Sequence, residues 1–501
     1  MKIRQKRKGK LFCVSIMCII CSLMLYSPVT AQNDHPGSTD SDEATEPTVI
    51  QWYLLGDRPQ ELDIVSEKAN SYIRKKLNAE VNFNFIDWGA LLVKKAILFN
   101  SGTQVDIIFA AGWWDYEEDV SNGYYFPLNG LLDEFAPQTK AILGQDLLKA
   151  AEIDDRIYAL PIPGQGNSFA SGIGFRKDLV KKYNIDLSKI KKIEDVEPIL
   201  KSIKSKQPSI IPLINKSTTL NYDILNLDNI SSALYSPGCV NVNSKDMKVI
   251  NEFTKAETKA FYKNLNRFYK LKYIKKPKDL YDNSENSKAF AILNTDYNPL
   301  SLSDSAVSER VNIYLSKPTI SNSSGTGCMN AISSKTVDPE LDLKLIELIN
   351  TDKYLNNLLH FGVEGRHYVK SSDNVIKYPS GINQSNTPYP QYINWMIGNR
   401  YMDFTFNFED KNIYKTLRAF NSGARADKTL GFRYKPDDSK EEVACLSVWN
   451  KYVPKLISGE YDPDKYLPVI NKEFKKAGID KIIAQKQKQL DSWIKSQCLI
   501  Q

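Results

Sequence analysis

The chain is expected to fold as an α/β protein of two lobes with a cleft between them, and three observations lead there. Apolar runs of strand length alternate with amphipathic helical stretches from residue 49 onward, which is the pattern of a parallel, doubly wound sheet. The length, 501 residues, exceeds the roughly 250–300 at which a single core stops growing. Two stretches rich in Pro, Gly and small residues, 158–176 and 311–328, interrupt the pattern, as a chain that leaves one lobe and later returns to it would.

Val49 to Leu55 reads as a strand ended by Gly56, and Asp57 and Pro59 supply helix-start signals. Leu62, Val65, Ala69, Tyr72, Ile73 and Leu77 then recur at helical spacing. Val81 to Ile86 alternates as a second strand, Leu91 to Phe99 reads as a second helix, and Val105 to Ala111, stopped by Gly112, is a third, buried strand. Further helices are expected at Lys177–Tyr183, Ile193–Ser205, Lys255–Tyr269 and Pro339–Leu359. A terminal pair follows: Tyr466–Lys476 closes at Gly478, and Asp480 caps a last helix bearing Ile483, Leu490, Trp493 and Ile494. Lobe 1 is thus expected from residues 49–160 and 325–390, and lobe 2 from 161–324 and 391–501.

The amino terminus stands apart. Lys2, Arg4, Lys6, Arg7, Lys8 and Lys10 precede an apolar stretch from Leu11 to Tyr26, followed by Pro28 and Val29-Thr30-Ala31, which reads as a secretory signal peptide over 1–31. Residues 32–48 carry five acids and no Lys or Arg, the composition of a flexible, solvated tether. Without residues 1–31 the chain has 60 basic and 59 acidic residues, so the net charge of +7 belongs almost wholly to the signal and gives no argument for nucleic-acid binding. Cys13, Cys18 and Cys21 lie in the apolar stretch, but Met17 and Ile20 occupy positions where a lipid-attachment motif needs a small residue. Cys239, Cys328, Cys445 and Cys498 match no zinc spacing; one or two disulfides and buried thiols are both open for them.

The candidate site begins at the carboxyl end of the third strand, where ligands collect in open α/β sheets. There Trp113, Trp114, Asp115 and Tyr116 follow Gly112. Indoles cover the apolar faces of sugar rings, and Asp115 can accept hydrogen bonds from hydroxyls; packing of one or both indoles under the next helix is the alternative. Arg366, in the turn Glu364-Gly-Arg366-His-Tyr368, could donate a fork of hydrogen bonds to hydroxyls or a carboxylate, or could pair with Glu364. Trp395 follows Tyr389 and Tyr392 in a Pro- and Tyr-rich loop, and Tyr297 sits on a turn; Trp395 is expected to stack on the ligand, packing against the lobe interface being the alternative, with Tyr297 and Tyr389 at the pocket edge. No catalytic residue, metal or cofactor is expected. Only His35, His360 and His367 are available as imidazoles, and no G-x-S-x-G, H-E-x-x-H or Walker-type motif occurs. A glycosidase needs only two carboxylates and stays open as an alternative, as does a surface glycan sensor or adhesion module.

Several stretches together carry a family resemblance: Val105-Asp106 with the loop to Asp115, GYYFPLNGLLDEFAP at 123–137, GFRKDLVKKY at 174–183, LHFGVEGRHY at 359–368, WMIGNR at 395–400, LGF at 430–432 and AGIDKI at 477–482. In this order they resemble the family 1 extracellular solute-binding proteins of ABC importers, in particular the lipoprotein-like subgroup with its own carboxyl-terminal domain. The resemblance implies a type II periplasmic-binding-protein fold, in which two lobes close about a hinge on a trapped ligand. It further implies an exported, non-enzymatic, monomeric protein that captures a carbohydrate and delivers it to an ABC permease. Membrane contact would come only through permease docking or an amino-terminal anchor. The poor lipid-attachment motif departs from the family pattern.

Overall fold

The computed structural model describes residues 46–217, 219–230, 237–275, 284–302, 310–437 and 440–500. The expected signal peptide and residues 32–45 of the expected tether lie outside the described residues.

The first lobe starts as its sequence pattern predicts. β1 (Thr48–Leu55) leads through α1 (Leu62–Leu77) to β2 (Ala79–Ile86), and α2 (Leu91–Asn100) leads to β3 (Ile107–Ala110). β1 pairs in parallel with both neighbours, Trp52 standing beside Phe83 on one side and Ile107 on the other. α1 buries Leu62, Val65, Ala69 and Ile73 on one stripe and stops where Asn78 adopts φ 48°. Burying each large aliphatic side chain contributes roughly 1.5–3 kcal/mol, which is what holds the helix on the sheet. After α3 (Pro137–Ala151), interrupted at Gly144, comes β4 (Ala159–Pro161), and residues 162–169 cross to a second sheet.

That sheet is built from β5 (Ala170–Arg176), β6 (Ile211–Asn215), β7 (Ile274–Lys275) after α4 (Ala256–Lys270), β8 (Ala289–Tyr297) and β9 (Arg310–Tyr314), in the order β7-β6-β8-β5-β9. The chain then returns. β10 (Met329–Ile332) inserts antiparallel between β3 and β4, so the first sheet has the order β2-β1-β3-β10-β4. α5 (Pro339–Thr351) and α6 (Lys353–Phe361) follow; Asp352, whose side chain accepts from Leu355 N, divides the single helical tract expected there. A small sheet of β11 (Val369–Ser372), β12 (Val375–Lys377) and β13 (Thr405–Phe406) comes next, then α7 (Ile413–Ser422). α8 (Lys440–Ile457), α9 (Pro463–Ala477) and α10 (Ile479–Ile500) end the chain.

Each large sheet has its own core. Trp52, Leu54, Phe109, Ala331 and Leu345 belong to the first; Phe175, Leu213, Phe268, Phe290, Trp449 and Phe474 belong to the second. Three segments run side by side between the lobes. Phe169 and Thr319 exchange backbone hydrogen bonds, and Arg425 N and Asp427 N donate to Pro318 O and Ile320 O. The third segment, 421–427, holds Ser422, Gly423, Ala424 and Ala426 but no Pro, and lies outside the two crossings expected from the sequence.

Two boundaries differ from expectation. Residues 391–397, expected in the second lobe, place Ile393, Met396 and Ile397 in the first core. Gly172 and Gly174, expected in a loose crossing, lie inside β5, an interior strand of its sheet. A Cβ on Gly172 would stand 2.6 Å from Ile313 O, and one on Gly174 would stand 2.9 Å from Tyr297 Oη. The glycines permit close packing rather than a turn. Among the described cysteines no disulfide forms; Cys239 and Cys445 are buried thiols.

Candidate functional site

Strand direction decides where a ligand could collect. β1, β2 and β3 are parallel, and β4 runs with them because β10 opposes both of its neighbours. In the second sheet β6 and β8 are parallel, and β5 opposes β8 and β9. The crossings leave from the carboxyl ends of β4 and β9 and enter at the starts of β5 and β10. The carboxyl edges of the two sheets therefore adjoin the same hinge segments, and the cleft lies where they meet.

The edge of the first lobe carries tryptophans. After β3, Gly112 lies so close to the return segment that a Cβ there would stand 2.7 Å from Thr326 Oγ1, and Gly112 N donates to Thr326 O. The next turn lifts Trp113 outward. Its indole is 53% exposed, its Nε1 donates to Gly327 O at 2.7 Å, and its ring leans on Phe109 with centroids 5.9 Å apart. Trp395 meets Phe109 edge-on at 5.0 Å from a loop pinned to the sheet edge, where Met396 Sδ lies 3.2 Å from Leu55 N. Trp88, 51% exposed, lies parallel to Trp395 within 12° at 6.1 Å. It follows β2 and rests on Gly56 at the end of β1, where φ is +88° and a Cβ would stand 2.9 Å from the indole nitrogen. Reading the sequence missed Trp88. The signal was the one that exposed Trp113: an aromatic residue immediately after a parallel strand.

The edge of the second lobe is polar. β6 ends in Asn215, β8 carries Asn294, Thr295 and Asp296 near its end, and Ser316 follows β9. Asp223 accepts from Ser171 N at 2.6 Å and from the Ser171 and Ser316 hydroxyls. Asp296 keeps solvent access while closely surrounded by protein, so desolvation raises its pKa, with Asp223 adding to the effect. In the third crossing segment Asp427 is pushed up to about 8 by burial and by neighbouring Asp228, itself raised to about 6 by burial. Arg425 stands 3.5 Å from Asp427 and partly offsets this.

Not every expected residue reaches the cleft. Trp114 is 2% exposed and packs under α2, with Lys95 Nζ 4.4 Å from its ring and donating to its carbonyl. The single-residue offset from Trp113 decides this, since one turn cannot present both indoles to solvent. Asp115 is exposed beside Trp113, at φ 60°. Tyr297 is buried, its hydroxyl donating to Ile292 O at 3.0 Å inside the second lobe. Tyr389 is buried as well, donating to Leu359 O at 2.7 Å and stacked on His367. Neither tyrosine edges the cleft.

Arg366 pairs neither with Glu364, whose partner is Lys370, nor with open space. Its Nε and Nη2 donate to the two oxygens of Glu61 at 2.6 Å each, and His367 Nε2 stands 2.8 Å from the same carboxylate. Hydrogen bonding from Arg366 holds the Glu61 carboxyl down at about 2. Val363 N donates to His367 Nδ1, so the neutral imidazole carries its proton on Nε2. His360 is equally engaged, between Asp403 at 2.6 Å and Ile397 O at 2.9 Å. A hollow of about 580 Å³ lies between Asp154–Asp155 and α10, but its lining residues, Lys435, Gln489 and Trp493 among them, stand at no sheet edge, so the tryptophan edge is the better candidate. Trp493 packs against Phe432 at 5.7 Å.

Two α/β lobes, joined by three strands and carrying complementary sheet edges at the hinge, define a two-lobed solute-binding protein. The chain belongs to the bacterial extracellular solute-binding protein family, whose match covers residues 62–340, and residues 428–495 match a domain of unknown function (DUF3502). It is 26% identical over 468 residues to a carbohydrate ABC transporter substrate-binding protein of Streptococcus pneumoniae serotype 4, covering 91% of this chain and 93% of that protein. The crystal structure of the N-glycan transport solute-binding protein NgtS from Streptococcus pneumoniae superposes with a TM-score of 0.78 at 24% identity, covering 90% of this chain and 100% of that one. An HMO-binding solute-binding protein from Bifidobacterium longum infantis gives 0.61 at 14% identity, with 89% and 99% covered. The type II periplasmic-binding-protein architecture read from the sequence is the architecture observed.

Proposed function

We propose that the protein captures an oligosaccharide between its lobes outside the cell and delivers it intact to an ABC permease, performing no chemistry itself. The observation that carries this reading is the set of indoles at the first-lobe edge: Trp88 and Trp113 each leave more than half of their surface in water, beside the parallel ring of Trp395. Exposed tryptophans at strand ends leave flat apolar faces in water, on which sugar rings stack. Opposite them, Asp223, Asp296 and the half-buried Asn294 supply acceptors and donors for hydroxyls. With Arg366 neutralised by Glu61, and with Asp223 and Asp296 at the second edge, a neutral sugar fits better than a uronate. The pneumococcal relatives are named for carbohydrate and N-glycan transport, and NgtS crystals contain Man1GlcNAc or Man5GlcNAc, which favours mannose–GlcNAc oligosaccharides.

The test is a calorimetric and thermal-shift titration of the chain from residue 32 onward with Man1GlcNAc, Man5GlcNAc, neutral milk-type oligosaccharides and an alginate oligomer, with product analysis of each mixture. Binding of a neutral oligosaccharide is expected in the micromolar range, about 8 kcal/mol, with the ligand recovered uncleaved and the melting temperature raised. Cleaved product would make the protein a hydrolase. Preference for the alginate oligomer would overturn the neutral-sugar assignment.

A further inference from the structure

Behind the tryptophan edge the first lobe holds a cavity of about 460 Å³, within the size range of ligand sites. Trp395 forms one wall; the others are the loop 384–394 and the end of β13 through Glu409. Two properties set it apart from an ordinary surface hollow. Tyr378, Phe406 and Phe408 form a ladder of stacked rings, 4.5 Å and 5.1 Å between centroids, and its last ring, Phe408, is 57% exposed; Tyr392 is 53% exposed. Aromatic faces left in water inside a concavity are surface that neither core uses. Between them stand the amides of Gln165, Gln384, Gln391 and Asn394, groups that can both donate to and accept from hydroxyls.

Charge narrows the occupant. Among the described residues lining the cavity the only cation is Arg400, whose Nε donates to Asp403 at 2.7 Å and whose Nη1 donates to Gln165 at 2.8 Å. Glu409 contributes a negative charge. A carboxylate or sulfate group on a sugar would enter without a free counter-charge, at a desolvation penalty. Neutral hydroxyls meet amides and ring faces.

We propose that this cavity is a second arm of the carbohydrate site, which takes a neutral branch or terminus of an oligosaccharide whose remaining sugars lie on Trp88 and Trp113, with Trp395 shared at the corner. The inference rests on the carbohydrate reading above. It makes length and branching, rather than charge, the basis of selection: a disaccharide can occupy the tryptophan edge alone, whereas a larger branched glycan fills both arms.

The experiment measures Kd for Man1GlcNAc and Man5GlcNAc in wild type, Phe408→Ala, Tyr392→Ala and Trp113→Ala, with melting temperatures as a check on folding. Phe408 and Tyr392 are mostly exposed, so both variants are expected to fold. Each should weaken Man5GlcNAc about tenfold and Man1GlcNAc less than about twofold, whereas Trp113→Ala should weaken both about tenfold. Equal loss for both sugars in the Phe408 and Tyr392 variants, or no loss for either, overturns the second arm while leaving the carbohydrate reading intact. Wild type binding neither sugar would overturn the second arm as a site for a mannose–GlcNAc branch, and the carbohydrate reading falls only if the neutral milk-type oligosaccharides fail to bind as well.

Discussion

The two sheet edges that meet at the hinge are built from the same topology but present opposite chemistry. At the first, β2 and β3 end in Trp88 and Trp113, and a later loop lays Trp395 against them. At the second, β6 and β8 end in amides and Asp296, backed by Asp223 and Asp427. One edge supplies apolar area with little entropy cost, and the other supplies hydrogen bonds that strengthen once closure excludes water. A sugar needs both, since its rings have flat C–H faces and hydroxyl rims. On the proposed carbohydrate site, the first lobe would provide most of the affinity.

Removing the corner ring is the strongest way to break that comparison. Trp395→Ala takes away the ring that touches Phe109 and lies parallel to Trp88, and should weaken oligosaccharide binding about 30-fold, about 2 kcal/mol; calorimetry showing normal affinity would move the site elsewhere. The edges can then be weighed against each other. Trp88→Ala should weaken binding about tenfold, and Asp296→Asn about threefold, the net worth of one solvent-accessible hydrogen bond. The reverse order would assign the affinity to the second lobe.

A pH experiment sharpens the comparison from the acidic side. Folding raises the pKa of Asp427 to about 8 and of Asp228 to about 6, above the value near 3.8 of an unfolded aspartate, so the folded chain holds protons that the unfolded chain releases. Stability contributed by this pair is complete below pH 3.8 and falls as pH rises toward 8. Asp427→Asn should therefore raise the melting temperature by about 2 °C at pH 8 and by less at pH 5, as calorimetry at the two pH values would show. The smallest effect is expected at Arg366. Because its guanidinium is held by Glu61, Arg366→Ala should leave oligosaccharide affinity within about twofold. A larger loss would return Arg366 to the ligand site.

His367 extends the same logic to stability. Burial lowers its pKa, and Val363 N donates to its Nδ1, so the fold stabilises the neutral ring. That contribution is present above the ordinary imidazole value near 6.5 and is lost as pH falls below it.

How much of this could be read beforehand varied along the chain. Trp113 was legible because a strand run, a glycine stop and an exposed aromatic occur within ten residues. Trp88 was not read, although Asp87-Trp88-Gly89 after β2 repeats the arrangement. Tyr297 and Tyr389 misled because phenols in Pro- and Asn-rich segments read as surface, whereas the carbonyls of Ile292 and Leu359, the first five residues away and the second thirty, bury their hydroxyls. The Phe406–Phe408 ladder carried no signal, since its partner Tyr378 lies in a separate segment.

The sequence by itself determined what depends on local periodicity, strand–helix alternation and two lobes, and its ordered motifs carried the family resemblance. Tertiary structure alone decided which of two adjacent indoles faces water, which arginine is already paired, and that residues 391–397 close the first lobe rather than the second. The last two outcomes turn on contacts between residues hundreds of positions apart, Arg366 with Glu61 and Met396 with Leu55, for which sequence periodicity holds no record.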